Sequence, residues 1–379
     1  MNIALSILVA LLLFPGHATV TVACHNWWYG RLVGRRMTDV VQLAHLFWLF
    51  TLTAYLCPSL WAVLPMGETV GPIQIGLACI GWVLLVAVTI ARRFHQRPQE
   101  VSDYARTRIS PVLRPGRLDH GGGWRGRVAK WPGNEVLYPS LTTSVVQLPD
   151  LPPSWDGLKV LHISDLHFRE TPTREWFRAV IFECSRLHPD LVLLTGDTVD
   201  GLAYHQWVGG TLGRFPEKTV RVGILGNHDM WYKPDMLEKA LRRHRYHMVG
   251  GREKIIRIKG VDTRFIGNER PWRGRHTSGA GLGSADFTIA LCHSPDQAAW
   301  AAQAGAKLIF AGHVHGGQIR LPLIGPVIMP SRHGRRFDHG WFRVGKSLLH
   351  VTCGLGSSQP LRWGCPPEVA LIILKANQQ

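Results

Sequence analysis

Residues 158–167 read LKVLHISDLH, a short apolar run that ends in Ser164, Asp165 and His167. Four later runs end the same way. Leu191–Leu194 leads into Thr195-Gly196-Asp197, and Val220–Leu225 leads into Gly226-Asn227-His228-Asp229. Phe287–Leu291 ends at Cys292-His293, and Leu308–Phe310 ends at Gly312-His313-Val314-His315. Apolar runs of this length, bounded by turn residues, read as buried strands. Helix candidates lie between them, at about Arg174–Leu187 and Pro234–Arg243, so strand and helix alternate. That alternation predicts an α/β domain with polar side chains gathered at the carboxyl ends of its strands. Ile255–Ile258 and Arg264–Gly267, joined through Gly260, read as an antiparallel pair.

A single His or Asp at a strand end is more often a satisfied structural group than a ligand. Here five strand ends together supply carboxylates, an amide and imidazoles. Such donors suit hard-to-borderline divalent metals, and they outnumber the four that one tetrahedral ion needs. No thiolate belongs to the set, which disfavours a structural zinc site. Two neighbouring ions, about 3.5–4 Å apart, account for the surplus.

Asp165-x-His167, Gly196-Asp197-x-x-Asp200, Gly226-Asn227-His228-Asp229, His293 and Gly312-His313-x-His315 together resemble the calcineurin-like metallophosphoesterase superfamily. All five blocks occur in order over roughly residues 158–318. The longer forms His162–His167 and Gly312–Gln318, with Cys353–Gly356 and Pro366-Pro367-Glu368, look like its membrane-associated bacterial branch. That branch includes UDP-2,3-diacylglucosamine hydrolases. The resemblance implies a four-layer α/β fold, two mixed β-sheets flanked by helices, here preceded by a transmembrane helical segment. It also implies that Asp165, His167 and His315 hold one divalent ion, and Asn227, His293 and His313 a second. Asp197 bridges both in this scheme; His228 is the acid and Asp200 its supporting partner. Manganese, iron, zinc and magnesium all fit such donors. The protein Ser/Thr phosphatases follow this second Asp with Arg-Gly, whereas Gly201 follows Asp200 directly, which makes a phosphoprotein substrate less favoured.

Outward from the motifs, the composition divides. The 379-residue chain carries a formal net charge of +17, with 46% hydrophobic residues, which excludes an intrinsically disordered chain. Residues 1–91 nevertheless contain only three basic and two acidic side chains. Three uncharged stretches lie there: Ile3–Tyr29, Val40–Leu64 and Gly71–Ala91. Each exceeds the roughly 20 residues that a helix needs to cross a hydrocarbon core of about 30 Å. Pro15-Gly16-His17 interrupts the first. A signal peptide is disfavoured there, because no Lys or Arg precedes the apolar run and two more spans follow.

Arginine placement predicts the orientation. Arg31, Arg35 and Arg36 follow the first span, and Arg92, Arg93 and Arg97 follow the third, while residues 65–70 have no Lys or Arg. The positive-inside rule then puts the amino terminus outside and everything after Ala91 in the cytoplasm. Seven scattered cysteines, without metal spacing or a disulfide framework, agree with a reducing compartment. Residues 92–130 hold ten basic and three acidic side chains among several prolines and glycines, which reads as an irregular juxtamembrane linker. The expected organisation is an anchor over 1–91, a linker and lead-in strand over 92–149, and the phosphoesterase domain over 150–379.

The reading is a membrane-anchored hydrolase of phosphate esters or pyrophosphates, acting on a phosphorylated small molecule or a lipid-linked substrate at the bilayer. A nuclease is the alternative enzyme, since the surface is basic; no RNA-recognition signature or zinc finger supports nucleic acid as a partner. A non-catalytic scaffold is disfavoured because every expected ligand and acid position is present. A transporter would need paired ionisable groups inside the spans, and only His17, His25 and His45 occur there.

Overall fold

Every one of the five apolar runs is a strand, and each is buried on both faces. The computed structural model describes residues 3–29, parts of 36–51, 72–110, 121–274, 285–326 and 328–376. Two compact units emerge: Met1–Gln96 with Leu321–Arg336, and Arg97–Arg320 with Phe337–Gln379.

In the larger unit the strands begin with β1 (Val101–Arg108), β2 (Ser140–Leu148), β3 (Lys159–Ile163), β4 (Leu191–Thr195) and β5 (Val220–Ile224). They continue with β6 (Tyr246–Met248), β7 (Glu253–Ile258), β8 (Val261–Asn268), β9 (Phe287–Cys292) and β10 (Leu308–Ala311). After a short ribbon of β11 (Arg320–Leu321) and β12 (Gly325–Pro326) come β13 (Gly340–Val344), β14 (Ser347–Val351) and β15 (Glu368–Ala376). One mixed sheet has the order β1-β2-β15-β3-β4-β5-β6, and the other β13-β14-β10-β9-β8-β7. Within them β3, β4 and β5 run parallel, as do β8, β9 and β10. Side chains alternate across each strand. Val160, Leu191, Leu193, Val222 and Ile224 of the first sheet therefore meet Phe265, Ile289, Leu291 and Phe310 of the second. Their neighbours Leu161, Ile163, Val192 and Leu194 face the opposite way, onto the helix α3 (Arg174–Ser185). Each fully buried side chain of this size stabilises the fold by about 1.5–3 kcal/mol.

Thr173 caps α3 by accepting the Trp176 N–H at 3.3 Å, and Trp176, Phe177, Val180, Ile181 and Cys184 form its buried face. The helix α4 (Pro234–Arg243) starts on Pro234, whose missing N–H has no partner to lose there, and buries Leu237 and Leu241. The short α5 (Ala298–Gln303) packs on β9, β10 and β13 of the second sheet. The layers are thus two sheets between helices, as expected. The antiparallel pair read around Gly260 is β7 and β8.

Two expectations differ. Within the stretch read as an irregular linker, Val101–Arg108 is a strand that pairs antiparallel with β2, and Gly123–Ala129 is a short helix. Charge content hid the strand, because an edge strand needs to bury only part of one face; Val101 is its one buried residue. In addition, Leu321–Arg336, inside the stretch assigned to the hydrolase domain, clusters with the amino-terminal helices.

In the smaller unit α1 (Ile3–Tyr29) runs unbroken through Pro15, and α2 (Pro72–Arg93) follows. The proline removes one N–H, yet nearby carbonyls find other donors: Thr19 Oγ1 donates to Pro15 O at 2.8 Å and Trp82 Nε1 to Leu12 O at 2.6 Å. The helices touch backbone to backbone, since a Cβ on Gly81 would fall 1.9 Å from Gly16 O. Small residues permit that approach in apolar surroundings. By length and composition, Ile75–Arg93 is sufficient to cross a membrane. Most of the expected span Val40–Leu64 lies outside the described residues.

Candidate metal centre

The loops that leave β3, β4, β5, β9 and β10 converge at one end of the two sheets and bring all seven expected ligands together. Asp165, His167 and His315 form one group, with His167 Nε2 and His315 Nε2 3.1 Å apart and Asp165 Oδ1 3.7 Å from His315 Nε2. Asp197, His293 and His313 form another. There His293 Nε2 lies 3.2 Å from His313 Nδ1 and 2.9 Å from Asn227 Oδ1. Asp197 Oδ2 sits between the groups, 3.6 Å from His167 Nε2 and 3.4 Å from His293 Nε2. Donor atoms crowded this closely, from buried side chains with few other partners, fit divalent metal.

Backbone geometry marks the same residues. Asp165, His167, Asp197, His313 and His315 all have positive φ, between 45° and 70°. Side-chain-bearing residues rarely occupy this region, and they persist there when the surroundings over-determine them. Gly226 permits the tight approach of the β5 loop, because a Cβ at that position would lie 2.2 Å from Asp197 Oδ1.

Surrounding hydrogen bonds fix the rings. His293 Nδ1 donates to Thr195 O at 2.7 Å, and His167 Nδ1 donates to Asp200 Oδ1 at 3.1 Å, so each turns Nε2 into the cluster. Asp200 Oδ1 also receives His228 Nδ1 at 2.6 Å, and Asp200 Oδ2 pairs with Arg169 at 2.8 Å. His228 and Asp200 therefore meet as expected, and His228 keeps some exposure, 15% of its side chain. The further cluster of His167, Asp200 and His228 is explained by these hydrogen bonds to one carboxylate.

The electrostatics follow. Burial opposes ionisation of Asp197, but the imidazoles of His293, His228 and His167 hold its carboxyl far below the ordinary range. Asp200 is likewise lowered, against burial, by His167 and His228. Burial and the neighbouring Asp197 push Asp165 up, partly countered by His293 and His167. Burial also disfavours the imidazolium of His228, yet Asp197 and Asp200 outweigh it and raise the pKa. Burial is also the largest single influence on His293 and lowers it, but Asp197, Asp165 and the hydrogen bond to Thr195 O together outweigh burial and raise the pKa to about 9. His313 is lowered to about 3 by burial and by His293.

Three contributors were not read from the sequence. Asp229, the last residue of its motif, accepts the N–H groups of Thr198, Val199 and Gly226 at 2.8–3.0 Å and ties the β4 loop to the β5 loop. Its motif was the available signal. Fully buried Arg362 lies 3.2 Å from His315 Nδ1; burial, His167 and Arg362 together keep that ring well below its ordinary pKa. Trp272 covers His313 and His293, with ring centroids 4.9 and 5.3 Å away. Neither Arg362 nor Trp272 stands in a motif that marks it.

Residues 158–317 match the calcineurin-like phosphoesterase family. The chain is 29% identical over 279 residues to the metallophosphoesterase YkuE of Bacillus subtilis (strain 168), which covers 70% of this chain and 94% of that one. It is 26% identical over 221 residues to the phosphodiesterase YaeI of Escherichia coli (strain K12), covering 57% and 82%. The transmembrane protein with metallophosphoesterase domain of Danio rerio is 26% identical over 271 residues, covering 64% of this chain and 59% of its own.

Proposed function

We propose that this chain, whose residues 158–317 match the calcineurin-like phosphoesterase family, is a metal-dependent hydrolase of phosphoesters, membrane-anchored, binuclear and facing the cytoplasm. The observation that carries the binuclear reading is the place of Asp197 Oδ2, within 3.6 Å of a donor nitrogen on either side. A carboxylate can offer lone pairs to two ions, whereas each imidazole has one. Asp165, His167 and His315 hold the first ion in this reading, and Asn227, His293 and His313 the second. Bound there, the ions supply Lewis acidity and activate water.

The chain's own residues do the rest. Asp200 turns His228 and holds a proton on its ring, which then passes to the departing oxygen of the ester. The neutral Asn227 oxygen limits the negative charge around a site that must attract phosphate. His228 beside the cluster supplies a positive charge to the phosphoryl oxygens.

Residues 1–91 are proposed as a three-span anchor, 92–149 as the linker and lead-in, and 150–379 as the hydrolase, except that Leu321–Arg336 clusters with the anchor helices. The helix geometry supports the anchor. Gly16 meets Gly81, and the same number of residues further along, Trp27 and Arg92 line one cavity, so α1 and α2 run parallel. Parallel neighbours in a bilayer need a return crossing between them, which the apolar stretch Val40–Leu64 can supply. The substrate class is a phosphate ester or pyrophosphate, lipid-linked or presented near the membrane.

The test is Asp197→Ala in the detergent-purified chain, read by metal content and by turnover across aryl esters, nucleotide sugars, phospholipids and nucleic acids. Bound metal should fall from about two equivalents towards none, with turnover lost on every substrate. Full metal and normal turnover would sink the binuclear reading, and a wild-type preference for nucleic acid would replace the substrate class.

A further inference from the structure

Two arginines meet on one carbonyl beside the metal centre. Arg169, in the loop after β3, and Arg125, in the short helix Gly123–Ala129, both donate to Ser358 O. The hydroxyl of Ser358 lies 3.5 Å from Nδ1 of the proposed ligand His167. Arg169 also pairs with Asp200 Oδ2 at 2.8 Å, while Asp200 Oδ1 receives His228 Nδ1 at 2.6 Å. One carboxylate thus links the cations to the proposed acid, which puts them on the leaving-group side of the cluster.

Positive charge is in surplus there. Arg169 has Asp200 as its partner, but among the described residues Arg125 is in no ion pair, and Ser358 O is the acceptor it uses. The nearby Glu170 carboxylate is hydrogen-bonded by Tyr204. Burial and Arg169 push the Arg125 guanidinium down to about 10, against Glu170, Asp200 and Tyr204, so it stays charged at neutral pH. Both side chains keep partial exposure, and a guanidinium has several N–H donors, so each has some to offer a ligand. Like charges this close repel, and an anion between them relieves the pair.

The fold does not need Arg125 to hold Ser358 in place. On either side of that residue, Arg362 Nε donates to Ser357 Oγ at 2.6 Å and Asn134 Nδ2 to Pro360 O at 2.8 Å. Asn134 Nδ2 also donates to Val128 O at 2.9 Å, which ties the short helix to the same loop. At the other end of the helix the backbone rests on the β3 loop, since a Cβ on Gly121 would fall 2.3 Å from Glu170 O. The stretch read from sequence as a linker thereby delivers a fixed cation to the edge of the centre.

We infer that Arg125 and Arg169 together bind a second phosphate of the substrate, one carried by its leaving group. Guanidinium forks match phosphate oxygens and hold them by charge-assisted hydrogen bonds. A neutral leaving group would leave the repulsion between the two arginines unrelieved. In the reaction a water oxygen bonds to the scissile phosphorus and the ester P–O bond breaks. The departing oxygen takes the His228 proton and leaves with the second phosphate attached, while a water proton passes to solvent. That phosphate is joined either directly, as in a pyrophosphate, or through the carbon skeleton of the leaving alcohol. The inference deepens the hydrolase reading above and rests on it.

The experiment uses the full detergent-purified chain loaded with manganese, at one free-metal concentration throughout. Calorimetry measures binding of methylphosphonate, methylenediphosphonate and propylenediphosphonate, and turnover of p-nitrophenyl phosphate is followed in parallel. Wild type should bind one of the diphosphonates at least about tenfold more tightly than methylphosphonate, as an added charge-assisted contact implies. The favoured spacing tells a directly joined second phosphate from one carried on the alcohol. Arg125→Gln should bring the affinities for one and two phosphonate groups close together, and Arg125→Lys, which keeps the charge, should retain a larger preference than Arg125→Gln. Absence of a preference in wild type overturns the site without any variant. An unchanged preference in Arg125→Gln overturns it too, as does a Lys variant no better than the Gln variant. A preference without turnover by wild type overturns the hydrolase reading and leaves the anion site standing, whereas turnover without a preference does the reverse.

Discussion

His228 Nδ1 donates to Asp200 Oδ1 across 2.6 Å, and the same oxygen receives His167 Nδ1 at 3.1 Å. One carboxylate thus orients both the proposed acid and a proposed ligand. This sharing distinguishes what the two substitutions at the pair should do.

Loss of the acid should depend on the leaving group. General acid catalysis contributes roughly 10²–10⁴-fold and matters most when the departing oxygen is strongly basic. His228→Ala should therefore lose far more turnover on an alkyl ester than on a p-nitrophenyl ester, with metal content retained. Turnover across leaving groups of graded pKa is the measurement. Equal losses throughout, with chemistry rate-limiting, would leave His228 as an electrostatic contact only.

Asp200→Asn should show the same leaving-group bias in milder form, and a second effect besides. Because His167 loses its charged partner too, metal affinity at the first group should fall by about 10–100-fold, the usual range for an outer partner of a ligating histidine. Titration with the metal reads this directly. Unchanged affinity would mean that Asp200 serves His228 alone.

Metal uptake should be pH-dependent through His293. Its pKa in the metal-free fold, about 9, leaves it protonated at neutral pH, whereas a ligating imidazole must be neutral. Affinity should rise with pH up to about 9 and level off beyond it, with about one proton released per chain on loading at neutral pH from this ring. The stability of the metal-free protein has the opposite slope. His293 is raised above its unfolded value of 6.5, so its contribution is complete below that pH and disappears as the pH climbs through about 9. Proton release by calorimetry in buffers of different ionisation enthalpy, and denaturant melts against pH, test the two slopes. A flat affinity profile would contradict the charge state assigned to His293.

The arginine asymmetry predicts that the hydrolase part is sheltered in sealed right-side-out vesicles. Added protease should leave residues 97–320 intact until the vesicles are opened. Cleavage without opening would reverse the orientation.

How far these features could be read beforehand follows from where each residue lies. Parallel strands such as β3, β4 and β9 are buried on both faces, so they stand out as unbroken apolar runs, and their ligands sit at the run's end. Residues supplied by one short segment, such as Asn227 and His228, share a motif and can be read together. Arg362 was not legible, since it comes from a loop far along the chain and acts only because folding brings it to His315. β1 was hidden because an exposed edge strand carries no continuous apolar signal. The segment Leu321–Arg336 was hidden for a related reason: a short run with two-residue strands has no periodicity of its own.

The positive φ at Asp165, His167, Asp197, His313 and His315 sets stability against activity. At each of these positions glycine would sit with less strain, so substitution by glycine, unlike substitution by alanine, relieves the backbone by about 1 kcal/mol even as it removes the ligand. Compared without metal, a glycine variant at one of these ligands should consequently lose less thermal stability than an alanine variant at the same position, and melts of the two variants measure the difference. Purifying selection for turnover is then what keeps an energetically reluctant loop in its working shape.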